Sequence, residues 1–221
     1  MPKAVVLLSG GLDSAVTLAC SVYDGNETIA LSFRYGQRHT KELVSAKAVA
    51  EHYNMRHVVT DIDMSMFRSS LIGNSKEIEK DRTNIGKDIP DTYVPARNMI
   101  MLSIATGLCE SVDADRIYIG ANSVDYSGYP DCRNEFFKVF EEMIKKGTKA
   151  GVEGRPIKIV TPILDLSKSE IVKLGKKLNV PLHLTWSCYS GGDKACGRCD
   201  SCILRLNGFK DAGYKDEVEY Q

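Results

Sequence analysis

The 221-residue sequence predicts an α/β fold, a parallel sheet with helices on both of its faces. Short apolar runs alternate along the chain with segments whose apolar residues recur at helical spacing, an alternation typical of parallel sheets. The first apolar run, Val5–Leu8, leads directly into a glycine turn and a helical pattern. Because open α/β sheets bind ligands at the carboxyl ends of their strands, that turn is the first candidate binding site.

Five strands and five helices are predicted from these patterns, in a Rossmann-like arrangement. The strands are 5–8, 28–33, 57–62, 116–121 and 157–161, and the helices are 14–23, 40–53, 95–112, 135–146 and 167–178. The last helix begins with a capping box, in which Ser167 is the N-cap and Glu170 occupies position N3. Residues 68–92 are polar and show no clear period, which predicts a mobile excursion with the length of a lid.

The composition narrows the choice of partners and compartment. Lysine plus arginine and aspartate plus glutamate both number 29, so the formal net charge is zero and no global field draws the protein to nucleic acid or anionic lipid. No signal peptide and no apolar stretch of bilayer length are visible, which predicts a cytoplasmic protein without a membrane partner. Seven cysteines in such a chain favour reduced thiols or metal binding over disulfides.

The turn after the first strand reads Ser-Gly-Gly-Leu-Asp-Ser. Gly10 and Gly11 allow positive φ angles and a close approach of the backbone, whose N–H groups and following helix N-terminus attract phosphate. Ser9 and Ser14 add hydroxyl donors, and Asp13 is predicted to hold Mg²⁺ because like charges keep it from phosphate. The string is neither a Walker A motif nor a dinucleotide fingerprint. It resembles the pyrophosphatase loop (PP-loop) of N-type ATP-dependent ligases, and the alternative is an ordinary glycine turn.

Four of the cysteines form a cluster near the C-terminus: Cys188, Cys196, Cys199 and Cys202. Four thiolates so close in sequence can surround a tetrahedral Zn²⁺ with no open position, which predicts one structural zinc ion. Its binding would contribute about 10–16 kcal/mol to folding, by analogy with zinc-finger peptides. A [4Fe–4S] cluster and redox-active dithiols are the alternatives. The predicted organisation is an ATP-binding α/β domain over 1–184 and a zinc-binding segment over 185–221 packed on it.

Three polar segments, 35–39, 94–98 and 120–133, are predicted to lie at the binding edge of the sheet. Each mixes aromatic side chains with hydrogen-bonding ones, a combination that suits a planar purine-like ligand. Each segment alone is equally compatible with a solvated turn. Together they predict a second site beside the nucleotide.

Five motifs occur in an order that carries a specific resemblance. They are Ser-Gly-Gly-Leu-Asp-Ser at 9–14, Tyr-Gly-Gln-Arg-His at 35–39, Asp-Tyr-Ser-Gly-Tyr-Pro-Asp-Cys-Arg at 125–133, Thr-Trp-Ser-Cys-Tyr at 185–189 and Ala-Cys-Gly-Arg-Cys-Asp-Ser-Cys at 195–202. This set resembles the 7-cyano-7-deazaguanine synthase family of queuosine biosynthesis and spans nearly the whole chain. One departure is Ala96, where the family pattern Val-Pro-Gly-Arg-Asn has glycine.

The resemblance implies an ATP-dependent carbon–nitrogen ligase. Members of that family convert 7-carboxy-7-deazaguanine to 7-cyano-7-deazaguanine with ammonia and ATP, through an adenylated carboxylate and then an amide that is activated a second time. Because nothing in the sequence resembles a glutaminase domain, free ammonia or a partner would supply the nitrogen. The resemblance also implies a homodimer.

Roles for individual residues follow from the same resemblance. Asp13 and Ser14 are the candidate catalytic residues. The candidate nucleotide-binding residues are Leu8, Ser9, Gly10, Gly11, Leu12, Asp13 and Ser14. The candidate residues of the deazapurine pocket are Asp125, Tyr126, Asp131 and Arg133. Arg97 is predicted to steer a carboxylate or phosphate, and the alternative for Arg97 is an interhelix salt bridge.

Two other functions fit parts of the sequence. A sulfur-transfer enzyme acting on tRNA would use the same loop, with Cys132 as its candidate cysteine, but the zero net charge and the lack of an RNA-binding module argue against it. A DNA-binding regulator would use the cysteine cluster. Its basic residues there alternate with acidic ones, so the local charge is small.

Overall fold

Five parallel strands form one sheet in the computed structural model, which describes residues 1–73, 77–82, 89–124 and 129–221. The strands are β1 (Lys3–Leu7), β2 (Glu27–Arg34), β3 (Arg56–Asp61), β4 (Arg116–Ile119) and β5 (Lys158–Val160). Their order is β3-β2-β1-β4-β5, so β1 is central and pairs with both β2 and β4. The strand order reverses at β1, and sheets of this kind bind ligands beside the carboxyl ends of the strands at such a point.

Seven α-helices within the described residues cover this sheet. They are α1 (Leu12–Tyr23), α2 (Lys41–His52), α3 (Arg97–Val112), α4 (Asn134–Gly147), α5 (Lys149–Val152), α6 (Lys168–Lys177) and α7 (Asp200–Ala212). Val5 and Leu7 of β1 share a hydrophobic cluster with α3 and α4, whereas Ala4 and Val6 share another with α1, α2 and α6. The predicted parallel sheet with helices on both faces is therefore confirmed. None of these helices is long and apolar enough to cross a membrane.

The predicted elements differ from the observed ones by at most two residues at either end. The capping box is confirmed, because Ser167 and Glu170 each accept a backbone N–H from the other residue. The sequence patterns do not predict α7. Its buried face includes Ser201, Arg205 and Gly208, so it lacks the apolar spacing that identifies a helix.

Part of the predicted excursion over 68–92 packs against the cysteine-rich segment. The Asp81 N–H donates to the carbonyl of Arg198 over 2.8 Å, and Lys80 forms a β-bridge with Cys199. The carboxylate of Asp81 also pairs with the Arg198 guanidinium. The excursion lies in part outside the described ranges, and its mobility stays a prediction.

The C-terminal segment packs beside the opening loop. The Trp186 N–H donates to the Gly10 carbonyl over 2.8 Å, and α7 packs along α6. The buried Arg205 guanidinium pairs with Asp216 over 2.6 Å, which ties the tail to α7. The division of the chain at residue 184 stays a prediction.

Candidate active site

The opening loop joins β1 to α1 through a turn that requires glycine. Gly10 has a φ of +92°, and a Cβ on it would lie 2.1 Å from the carbonyl oxygen of Glu42. The first turn of α2 therefore packs directly on the loop. Ser9 and Ser14 brace the turn, because their hydroxyls lie 3.0 Å apart and Ser14 Oγ also donates to the Gly11 carbonyl.

The start of α1 presents hydrogen-bond donors to a cavity at the end of β1. The helix begins at Leu12, so the N–H groups of Leu12, Asp13 and Ser14 have no acceptor within it. These three residues line the cavity, as do Leu8, Ser9 and Gly11. Clustered N–H groups at the positive end of a helix dipole are the chemistry of an anion site. Gly10 packs on α2 and is not among the lining residues.

The carboxylate of Asp13 is paired with Lys168, the first residue of α6. Lys168 Nζ lies 2.8 Å from Asp13 Oδ1 and 2.7 Å from Oδ2. The lysine stem crosses α7 at Gly208, where a Cβ would lie 2.3 Å from Lys168 Cγ. Both charged side chains line the cavity. The loop has no lysine of its own, and a buried lysine from α6 supplies the positive charge beside it.

The cavity joins the loop to the polar segments that follow β2 and β4, and it concentrates positive charge. The described lining residues include four cationic side chains, Arg38, Arg97, Lys168 and Arg205, and two carboxylates, Asp13 and Glu42. Its aromatic lining includes Tyr35, Tyr129 and Tyr189. Arg205 is paired with Asp216, but the other three cations still outnumber the two carboxylates, and in a chain of zero net charge this local excess favours an anionic ligand.

Arg97 is the first residue of α3, and its guanidinium lies among tyrosines. Burial disfavours its charge, but the phenol groups of Tyr35, Tyr129 and Tyr189 outweigh burial, and the pKa of Arg97 is raised. No ion pair between Arg97 and a carboxylate occurs within the described part of the chain. The alternative of an interhelix salt bridge is therefore not observed there, and the charge of Arg97 is available to a ligand in the cavity.

The other predicted pocket residues are placed differently. Asp131 is buried and does not line the cavity; its Oδ2 accepts the Asn98 N–H over 3.1 Å, and its Oδ1 has no hydrogen-bond partner among the described residues. Arg133 is exposed and precedes α4. Asp125 and Tyr126 lie outside the described residues. Of the five predicted residues, Arg97 is thus the one that the described structure places at the cavity.

Cys132 lines the cavity as a buried, protonated thiol. Burial and the nearby Asp131 together raise its pKa to about 12 against the opposing charge of Arg97. The Asn98 amide lies 3.4 Å from its sulfur. A thiol with so high a pKa is a weak nucleophile, because the thiolate is the reactive form.

The four predicted metal ligands come together as a buried cluster. The sulfur atoms of Cys188, Cys196, Cys199 and Cys202 all lie within 4.8 Å of one another. Hydrogen bonds from the thiols of Cys199 and Cys202 and from backbone N–H groups lower the pKa of Cys188. Backbone N–H groups also point at the sulfur of Cys196. Converging thiols with thiolate-stabilising donors can hold a metal ion.

A comparison with protein families matches residues 3–213 to the queuosine biosynthesis protein QueC. The chain belongs to the QueC family. The 7-cyano-7-deazaguanine synthase of Picrophilus torridus is 53% identical over 222 residues, which cover 100% of this chain and 92% of that protein. The synthase of the same name from Acetivibrio thermocellus is 51% identical over 229 residues, covering 100% of this chain and 98% of that protein.

A solved structure shares the fold at low sequence identity. NMN synthetase from Francisella tularensis is similar with a TM-score of 0.51 and 18% identity, over 96% of this chain and 78% of that one. At this identity the similarity concerns the architecture alone. It agrees with the predicted α/β fold.

The backbone conformation at Ala96 explains why the QueC pattern has glycine at this position. Ala96 has a φ of +54° and a ψ of 21°, the left-handed conformation that favours glycine. It directly precedes Arg97, and its N–H donates to the Tyr93 hydroxyl over 3.2 Å. The backbone at this point orients the first turn of α3, and this QueC chain adopts the required conformation with alanine.

Three charged residues of the cavity are absent from the sequence-based predictions of this site: Lys168, Glu42 and Arg205. Lys168 follows the N-cap of α6, and nothing local distinguishes it from a solvated lysine. Glu42 and Arg205 lie within helices, where charged residues are ordinarily on the solvated face. Only the packing of helices distant in sequence brings these three side chains to one cavity.

Proposed function

We propose that this QueC protein converts 7-carboxy-7-deazaguanine, ammonia and ATP to 7-cyano-7-deazaguanine in queuosine biosynthesis. One relationship carries the proposal: the PP-loop and the guanidinium of Arg97 open into the same cavity. The loop offers an anion site suited to the phosphates of ATP, and Arg97 offers one suited to a carboxylate. Relatives that are 51–53% identical over the full chain carry the name of that synthase.

Adenylation of the carboxylate is the first step of the proposed reaction. The N–H groups at the start of α1 bind the phosphates, and Lys168 stabilises charge that develops on pyrophosphate as it leaves the α-phosphorus. Arg97 orients the attacking carboxylate. Ammonia then displaces AMP to give an amide. A second ATP-dependent activation removes the amide oxygen with AMP and leaves the nitrile.

The heterocycle is proposed to stack against the tyrosines of the cavity. Tyr129 and Tyr189 line it on the side of Arg97, and a flat deazapurine matches their rings. Asp125, Tyr126 and Arg133 remain proposed pocket residues on the strength of the family motif. Asp131 is proposed to act through Asn98, whose N–H and side-chain amide both bond to it.

The donor atoms of Asp13 suit Mg²⁺. Both carboxylate oxygens accept from Lys168, and each has a second lone pair. Asp13 also lines the cavity beside the loop. When bound, Mg²⁺ would neutralise charge on the phosphates of ATP.

Zinc is the metal proposed for the cysteine cluster. A tetrahedral ion with Zn–S bonds of about 2.3 Å separates its sulfurs by about 3.8 Å. The sulfur atoms of Cys196 and Cys202 lie 3.9 Å apart. A four-iron cluster would hold the sulfurs further apart, because each thiolate then binds a different iron. With four ligands and no open position, the ion would stabilise the fold and not take part in the reaction.

A direct assay tests the proposed function. The purified protein is incubated with 7-carboxy-7-deazaguanine, ATP, Mg²⁺ and ammonium chloride. The products are then separated and identified by mass spectrometry. We expect the nitrile and AMP, with two AMP released for each nitrile. ADP as the spent nucleotide, or no change in the carboxylate, would contradict the proposal.

A sulfur-transfer enzyme acting on tRNA was the alternative function, and the geometry disfavours it. That chemistry needs a reactive cysteine, and Cys132, the cysteine at the cavity, is held as a thiol with a pKa of about 12. We further propose a cytoplasmic homodimer, in keeping with the family resemblance.

A further inference from the structure

Glu42 is a carboxylate at the cavity to which the reaction above gives no role. It lies in the first turn of α2, whose backbone packs on Gly10 of the PP-loop, and its side chain lines the same cavity as Arg97. It therefore sits between the phosphate site and the proposed carboxylate site.

The two carboxylates of the cavity differ in their partners. Both carboxylate oxygens of Asp13 accept hydrogen bonds from Lys168 Nζ. The carboxylate of Glu42 forms no hydrogen bond and no ion pair with any described residue. Glu42 is half-buried at the cavity, and an unpaired carboxylate in such a cleft is the kind of group that concentrates at functional sites.

The charged and titratable groups that face Glu42 come from three other parts of the chain. They are Arg97 at the start of α3, Tyr35 after β2 and Cys188 in the metal cluster. Burial raises the pKa of Glu42 to about 7, and the charge of Arg97 limits this rise. At neutral pH the group therefore exchanges protons readily, as a general base must.

We propose that the Glu42 carboxylate binds an ammonium ion in the cavity and accepts one of its protons, which releases ammonia beside the acyl-adenylate. The inference rests on the proposed function and adds a catalytic residue to it. The ammonium ion supplies four N–H donors to an otherwise unpartnered anion. Ammonium is also the form in which ammonia mostly exists at neutral pH, and it cannot attack a carbonyl until it loses a proton.

The proposed step balances in atoms and charge. Ammonium transfers one proton to Glu42 and becomes ammonia, whose lone pair attacks the carbonyl carbon of the adenylate. The C–N bond forms, the C–O bond to AMP breaks, and AMP leaves with that electron pair. A second proton passes from nitrogen to the departing phosphate oxygen. The products are the amide, AMP and a protonated Glu42, which returns its proton to solvent.

The variant Glu42→Gln keeps the shape of the side chain and removes its basicity. Its test compares two nucleophiles at pH 7 with preformed enzyme, 7-carboxy-7-deazaguanine and ATP. Ammonium needs deprotonation, whereas hydroxylamine is already uncharged and traps an acyl-adenylate as a hydroxamate. Pyrophosphate release in the absence of either nucleophile reports adenylation separately. The matched control is Glu51→Gln, an exposed residue of the same helix.

We expect Glu42→Gln to form the amide from ammonium about 100-fold more slowly than the native protein, while hydroxamate formation and adenylation stay within about threefold. Raising the pH supplies free ammonia, so the deficit should shrink as the pH rises. Glu42→Asp should recover part of the rate.

Equal losses with ammonium and hydroxylamine would overturn the assignment of Glu42, since a merely structural residue would slow both. An unchanged rate with ammonium would overturn it as well. If the native protein itself releases no pyrophosphate with 7-carboxy-7-deazaguanine, the proposed function fails instead, and the two failures are thus distinguishable.

Discussion

Lys168 holds both carboxylate oxygens of Asp13, at 2.8 Å and 2.7 Å, across 155 residues of sequence. This pair places an α6 cation beside a loop at the start of α1. Its side chains are 9% and 19% exposed, so the charges interact with little screening by water. We expect the lysine to exchange its carboxylate partner for a phosphate oxygen when ATP binds.

Replacement of Lys168 by methionine should remove this cation while it preserves most of the stem that crosses Gly208. We expect kcat/KM for ATP to fall about 100-fold or more, because charge on the leaving pyrophosphate loses its stabilisation. The measurement is the rate of AMP release against ATP concentration.

The control for this prediction is Lys173→Met, an exposed lysine of the same helix, which should retain native kinetics. The double variant Asp13→Asn with Lys168→Met separates folding from activity. It leaves no unpaired charge, so it should be more stable than Lys168→Met alone yet equally inactive. A Lys168→Met protein with native kinetics would show that the lysine serves only to pair Asp13.

The pair between Arg205 and Asp216 should be a major contribution to stability. Both side chains are 3% exposed, and Arg205 also donates to the Thr185 hydroxyl over 2.7 Å. Asp216→Asn leaves a buried guanidinium without its counter-charge, and we expect a loss of about 3–5 kcal/mol in the free energy of unfolding. Glu217→Gln, at an exposed ion pair with Lys176, should cost less than about 1 kcal/mol in the same denaturation experiment.

The same pair should make stability depend on pH at the acid end. Burial alone would raise the pKa of Asp216, but the hydrogen bonds and charge of Arg205 outweigh it, and the pKa is lowered. Its stabilising effect is therefore complete above the unfolded value of about 3.9 and is lost as the pH falls through the folded pKa. Denaturation midpoints of the native protein should decline there more steeply than those of Asp216→Asn. Parallel acid profiles would contradict the assignment.

Removal of the metal should loosen the segments that pack on the cysteine cluster. Ile78 contacts the cluster, and Lys80 forms a β-bridge with Cys199, so we expect faster amide exchange at 77–82 and 195–199 after chelation. The strand β1 should stay protected. Metal analysis should find one zinc per chain, none in Cys199→Ser and a full complement in Cys20→Ser. Unchanged exchange at 77–82 would show that the segment docks without the metal.

Ala96→Gly should stabilise the protein, contrary to the usual effect of glycine. The left-handed conformation costs alanine about 1–2 kcal/mol, whereas glycine adopts it freely. The greater flexibility of glycine in the unfolded chain offsets about 0.4–1 kcal/mol, so we expect a net gain of about 0.5 kcal/mol. Ala48→Gly within α2 should instead lose about 1 kcal/mol. Urea denaturation of the two variants compares the signs, and a loss in both would mean that position 96 relaxes away from this conformation.

Short-range patterns in the sequence predicted the elements of the fold, the PP-loop and the four cysteines. Each of these depends on neighbours in sequence. A glycine turn between an apolar run and a helix, or four thiols within a few residues of each other, has its chemistry already at hand. Their residues lie where the predictions expected them, at the end of β1 and in one buried cluster.

Local sequence patterns could not assign the cationic and acidic side chains within helices to the cavity. Lys168 and Glu42 reach the cavity only because α6 packs along α7 and α2 packs on the loop, and in sequence each resembles a solvated helical residue. The sequence alone determined which segments are candidates for phosphate binding and for metal binding. Tertiary structure decided which distant charges surround them, because those contacts depend on the packing of whole helices and leave no local pattern.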